Sequence, residues 1–187
     1  MQSVAFKKAD GGQPAEEGRE AWRVWLEKPE KRRTHFQVGD QMVAAVFVGQ
    51  RWWSWSPWGF TTNEGALNHN HGFGPAEGLV EPAGHLGFLQ IRFDDRSTFL
   101  SRPALLVTAV PRTIKSNAFI PTFHMLGTGA DLYKLTVDAE IGILLRSQAE
   151  FEGHAFRAIQ VDEIAVNERF DEAVFDPDLL RSGHVEV

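Results

Sequence analysis

Cysteine is absent from the chain. That excludes a disulfide framework, a thiolate nucleophile and a thiolate metal site. Positive charge is also in short supply, with 19 Lys and Arg against 25 Asp and Glu and a net charge of −6. A nucleic-acid binder needs a cationic footprint, and this balance argues against one. No apolar run approaches the roughly 18 to 20 residues of a membrane-spanning helix. The opening stretch Met1-Gln-Ser-Val-Ala-Phe-Lys-Lys-Ala-Asp-Gly-Gly12 lacks the apolar core of a secretory signal. As written the chain reads as cytoplasmic, with the cell envelope as its place if a leader has been removed. Tyrosine is nearly missing: one Tyr stands against 14 Phe and 6 Trp. Phe carries no polar tip, so the imbalance points to apolar enclosure rather than to a polar contact surface.

What remains is an ordinary globular composition, 187 residues with 43% hydrophobic, long enough for one domain with a sizeable core. Residues 1–20 are small, polar and charged and read as a mobile lead-in, which leaves 21–187 as a single domain. From Ala21 the hydrophobic period is two. Trp22, Val24 and Leu26 share one side of a strand, and Arg23, Trp25 and Glu27 share the other. After a turn at Lys28-Pro-Glu-Lys31, Thr34, Phe36 and Val38 form the apolar side of a second strand. Gly39-Asp40 and Gly49-Gln50 then punctuate two more, over Met42–Val48 and Arg51–Trp55. Pro57–Glu81 has no periodicity and is rich in Gly, Asn and His, the signature of a functional lid or a disordered segment. A short helix is expected within Pro82–Leu89, and strands over Gln90–Leu100 and Ala104–Val110. Arg112–Thr128 reads as a mobile apolar insertion. Three further strands, around Asp131–Val137, Ile143–Phe151 and His154–Val166, close the chain. The fold class is mainly β: a curved antiparallel sheet with a few covering helices or loops.

Catalytic signatures are sparse. No phosphate cradle joins a strand to a helix, and no nucleophile-elbow spacing surrounds a Ser. His69 and His71 lie in Asn68-His-Asn-His-Gly72, where an extended backbone would aim both rings the same way. A divalent ion there needs a third ligand, for which His85 or Glu64 is available; a polar, solvated loop has the same composition. The run Arg51-Trp-Trp-Ser-Trp-Ser-Pro-Trp58 places Trp52 opposite Trp53 and Trp55 on a strand. These rings fill a core or line an apolar pocket. The Asn, Asp and Gln partners of a sugar-stacking site are not clustered beside them.

The stretch from Tyr133 to Ile164 resembles the final meander of the bacterial lipoprotein-carrier superfamily, which includes the periplasmic lipoprotein carriers, the mycobacterial lipid-binding lipoproteins and the N-terminal domain of the sigma-E regulator. The shared pattern is met at Val137-Asp138, Gly142, Leu144-Leu145-Arg146 and Gly153. Trp22-Arg-Val-Trp25 and Arg51-Trp-Trp-Ser-Trp55 are similar to actinobacterial members of that group. The resemblance implies an unclosed half-barrel whose concave side encloses an apolar cavity for an acyl chain or a lipidated protein segment, with no cofactor and no covalent chemistry. On that expectation the cavity is lined by Trp22, Val24, Phe36, Val46, Trp53, Trp55, Phe88, Leu106 and Leu135, with Phe119, Phe123 and Leu126 in a covering lid. The expected partner is an apolar or lipid-like ligand, or a lipoprotein. A sensor module contacting an envelope or sigma-factor partner is the alternative, and a His-based metal enzyme the third reading.

Overall fold

The computed structural model describes residues 2–8, 21–28, 30–38, 40–63, 75–112, 126–127, 129–169 and 171–181. A strand, β1 (Gln2–Lys8), falls within the segment read from sequence as a lead-in. The remainder divides into two compact units where the sequence suggests one domain. The first is built mainly from residues 20–72 and 163–187, the second mainly from 73–162.

The first unit holds β2 (Ala21–Glu27), β3 (Lys31–Val38), β4 (Gln41–Val48), β5 (Arg51–Ser56) and β6 (Gly59–Thr62), paired antiparallel in chain order. The fifth strand departs from the expected loop after Pro57. Its cause lies in Asn63, whose side-chain oxygen accepts the Trp52 backbone N–H at 2.8 Å while its amide donates to the Gln50 carbonyl at 2.9 Å. Those two bonds draw the chain back along β5, with Trp58 exposed at the hairpin tip. The strand alternation then sorts side chains onto two faces. Trp22, Val24, Thr34, Val43, Phe47 and Trp52 share one and are buried, and the Trp22 and Phe36 rings stack with centroids 4.2 Å apart. The opposite face carries Arg33, His35, Ala44, Val46, Trp53 and Trp55. It is covered by a 3-10 turn at Glu172–Phe175, capped by the Asp171 carboxylate, and by the short helix α3 (Pro177–Arg181). Leu180 of α3 is fully buried against Ala44, Val46 and Trp53.

The second unit opens with two short helices. They are α1 (Pro75–Val80) and α2 (Ala83–Leu86). Five antiparallel strands follow in chain order: β7 (Leu89–Phe99), β8 (Arg102–Pro111), β9 (Leu132–Asp138), β10 (Leu144–Phe151) and β11 (His154–Glu163). Neither five-stranded sheet pairs its first strand with its last. Two hairpins use two-residue loops in which both residues have positive φ: Leu100 and Ser101 at 49° and 61°, and Glu152 and Gly153 at 50° and 78°. This backbone twist matches that of the flanking strands.

The β9–β10 connection explains why the sequence carries Asp138 and Gly142. The Asp138 carboxylate accepts the N–H groups of Glu140 and Ile141 at 2.9 and 3.0 Å, and Gly142 supplies a φ of 74°. The same carboxylate takes Arg102 Nε and Nη2, and Arg102 also reaches Glu140 at 2.7 Å. One side chain therefore ties the β9–β10 turn to the start of β8. Burial pushes its pKa up, but the Arg102 guanidinium and the turn N–H groups win, and the group sits below the usual carboxylate value. Asp138→Ala strands those donors, and the expected loss is about 2 kcal/mol. It is read as a lower urea midpoint at neutral pH with an unchanged slope.

Candidate functional site

In the second unit, register places Phe93, Val107, Leu135, Ser147 and Ile159 side by side across β7 to β11 on one face. Exposure falls steadily along that row. Phe93 is 56% exposed, Leu135 6% and Ile159 0%. A parallel row runs from Ile91, 43% exposed, through Ala109 to Tyr133 and Ala149, all buried. The gradient follows the cover. Helix α1 packs on β10 and buries Ala76, Leu79 and Val80 there. Gly127 lies so close that a Cβ built on it would stand 2.8 Å from Ala149 Cβ. The Tyr133 hydroxyl donates to the Gly127 carbonyl at 2.7 Å, and burial raises its pKa. His85, also buried, ties α2 to α1 through a 3.2 Å contact with the Gly78 carbonyl. At β7 and β8 Ile91 and Phe93 stand open, and Val107 and Leu105 are only half-buried. An apolar sheet surface thus runs out from under its own helices.

The other face of this sheet is polar. Thr108, Lys134 and Gln148 form one cross-strand row, with Asp94 at the β7 bulge beside it, and Leu106, Thr136 and Arg146 form the next. They border an open groove of about 290 Å³. Its charges are largely spoken for. Lys134 holds Glu150 at 2.7 Å, and Asp94 takes Arg92 at 2.8 Å and the Thr108 hydroxyl.

The residues expected to line one cavity are distributed otherwise. Trp22, Val24 and Phe36 occupy one face of the first sheet, whereas Val46, Trp53 and Trp55 occupy the other, packed around Leu180. In the second unit Leu135 lies in the apolar row, Phe88 is half-buried just before β7, and Leu106 faces the polar groove. Leu126 is buried; Phe119 and Phe123 lie outside the described residues, as do His69, His71 and Glu64. Among the described residues no group of three or more His, Asp or Glu is placed to hold a metal ion. No helix among them is long and apolar enough to cross a membrane.

Sequence reasoning missed Arg33 and His35, since Thr34 and Phe36 mark the opposite side of β3 as the apolar one. Both are buried under the C-terminal segment. Arg33 Nε donates to His35 Nε2 at 2.7 Å and Arg33 Nη1 to the Val174 carbonyl at 2.9 Å. The Trp25 ring meets His35 edge-on at 4.8 Å. The available signal was the register itself, because Trp53, Trp55 and Val46 share this side and mark it as apolar too.

The comparisons give one result. No protein-family model and no curated protein matches the chain. Among solved structures, MucB matches with a TM-score of 0.53 at 14% identity, covering 94% of this chain and 55% of MucB. The Pseudomonas aeruginosa MucA/MucB complex matches with a TM-score of 0.53 at 15% identity, covering 94% and 54%. A LolA superfamily protein from Nitrosomonas europaea reaches a TM-score of 0.42 at 11% identity, covering 95% and 89%, too distant to argue from. The chain has a MucB-like fold, and it spans about half the length of the MucB chains it matches. These matches bear on the fold alone, and nothing in them bears on an actinobacterial branch.

Burial, then the Arg33 and Arg23 charges, lowers the His35 pKa to about 3 from its ordinary 6.5. The unfolded chain therefore binds the proton first on acidification. Stability is full above pH 6.5 and falls as pH drops toward 3, by at most about 1.4 kcal/mol per pH unit from this group. Burial lowers the His85 pKa too, while Asp138 and Glu150, held below the ordinary carboxylate value, act only at lower pH. In His35→Gln the amide oxygen takes over as acceptor for Arg33. Denaturant melts between pH 6.5 and 5 are expected to show a shallower slope than wild type; an unchanged slope contradicts the assignment.

Proposed function

We propose that the protein binds a lipid, an acyl chain or a lipidated protein segment on the apolar face of its second unit, without covalent chemistry. The observation that carries the reading is the exposure gradient from Ile159 out to Phe93. A continuous apolar strip that emerges from beneath its own cover marks an interaction surface. Such a strip accepts an extended hydrocarbon lying across the strands. A buried acyl chain gains about 0.8 kcal/mol per CH₂. Micromolar affinity corresponds to about 8 kcal/mol, so roughly ten buried methylenes suffice before ordering costs. The described carboxylates and bases support this reading by being engaged structurally: Asp138 with Arg102, Glu150 with Lys134, Asp94 with Arg92. The resemblance read in the sequence points the same way.

A second reading, a protein-interaction or sensor module, draws on the likeness to MucB, which has been solved with MucA. In this chain it is favoured by β7, an eleven-residue strand at the open end of its sheet. An unpaired strand edge offers backbone donors and acceptors to an extended peptide.

Titration of a fluorescent sixteen-carbon fatty acid separates the two. Saturable micromolar binding is expected, weakened at least tenfold by Phe93→Asp, which sets a charge in the apolar row. Acyl species recovered by organic extraction and mass spectrometry of the native protein agree with it. Copurification of a stoichiometric protein without lipid, with no fatty-acid binding, favours the peptide reading and contradicts the first.

A further inference from the structure

The first unit holds two arginines with no acidic partner among the described residues, on one face and beside one aromatic ring. Arg23 and Trp25 lie on the same side of β2, and register sets them opposite His35 and Arg33 of β3. Both guanidinium carbons stand within 6 Å of the Trp25 ring centroid, at 5.8 Å for Arg23 and 5.7 Å for Arg33. Arg33 is only 6% exposed. Its Nε and Nη1 are committed to His35 and to the Val174 carbonyl, both uncharged acceptors, and its Nη2 has no hydrogen-bond partner among the described residues. Glu27, on the same side of β2, is already paired with Lys31 at 3.0 Å.

In a chain with six more acids than bases, two guanidinium groups on one ring with no carboxylate partner among the described residues are unexpected. A buried charge needs a counter-charge or dense hydrogen bonding, and two neutral acceptors and one ring face supply only part of that. A guanidinium recognises an oxyanion through its planar fork of N–H groups. Here two guanidinium groups approach the same indole, and one is fixed by its bonds to His35 and Val174. His35 Nδ1, on the ring that accepts from Arg33, is also buried without a hydrogen-bond partner.

We propose that Arg33 and Arg23 form a binding site for a phosphate-class oxyanion, with Trp25 as the wall beside it. Arg33 supplies the rigid, buried donor and Arg23 the adaptable, half-exposed one. Because it stands on the first unit's own residues, the site is independent of the acyl-chain reading. The phosphate belongs either to an anionic lipid headgroup or to a free phosphate compound.

Equilibrium dialysis of the full chain against inorganic phosphate is the first arm. The second is flotation with vesicles of equal phosphatidylglycerol and phosphatidylcholine, beside vesicles of phosphatidylcholine alone. Saturable binding of one phosphate per chain is expected, weakened about tenfold in Arg23→Gln and at least as much in Arg33→Lys, which keeps the charge and loses the fork. The Arg23 side chain makes no hydrogen bond among the described residues, so Arg23→Gln is expected to keep the wild-type melting temperature and to separate binding from folding. A lipid headgroup as source predicts flotation with the phosphatidylglycerol vesicles only, reversed by phosphate. A free phosphate as source predicts dialysis binding with no flotation. Absence of binding in both arms, or binding unchanged in Arg23→Gln and Arg33→Lys, overturns the proposal.

Discussion

An antiparallel sheet with one apolar face must hide that face from water, and in the second unit exposure shows how far that is achieved. The two helices that precede the sheet span six and four residues. Helix α1 packs on β10, and among the described strands burial of that face is complete there and fades toward β7. The strands nearest the cover carry the fully buried side chains, Tyr133, Leu145 and Ile159. Cover there is close-fitting: Gly127 admits no side chain against Ala149, and the protein's single tyrosine has its hydroxyl satisfied by the Gly127 carbonyl. At β7 and β8, where cover ends, the same face presents Ile91 and Phe93 to solvent. Uncovered apolar area costs roughly 25 cal/mol per Å² relative to burial, and that cost is what the proposed hydrocarbon ligand would relieve.

The first unit meets the same constraint in a different way. Its sheet is buried on both faces, and helix α3 with the preceding 3-10 turn closes one of them around Leu180. That closure encloses a guanidinium among rings and carbonyls rather than beside a carboxylate. The two units therefore present different chemistry. One offers an apolar strip, the other a concentrated positive charge on an aromatic wall.

Much of the strand pattern was legible because a period of two is a local property. Trp52 does face away from Trp53 and Trp55, and Asp138 and Gly142 do mark a turn, for reasons that the Asp138 hydrogen bonds make plain. The fifth strand of the first sheet was not legible, because it depends on Asn63 reaching back to Gln50 and Trp52 across a hairpin that begins with proline. Grouping the candidate lining residues failed for a related reason. Alternation tells which neighbours in one strand share a face, but only register between strands tells that Trp22 and Phe36 stand on the opposite side from Val46 and Trp53. The burial of Arg33 and His35 depends on a segment some 140 residues away in sequence, and no local pattern announces it.

The central claim is that the apolar row ending at Phe93 receives a hydrocarbon chain. Amide NMR spectra of the protein with a spin-labelled sixteen-carbon fatty acid test it most directly. Paramagnetic broadening is predicted at Ile91, Phe93, Leu105 and Val107, fading toward Ile159, with the polar-face residues Lys134 and Arg146 broadened less. Broadening centred on the polar groove or spread evenly over the chain, or no broadening at all, would contradict the account.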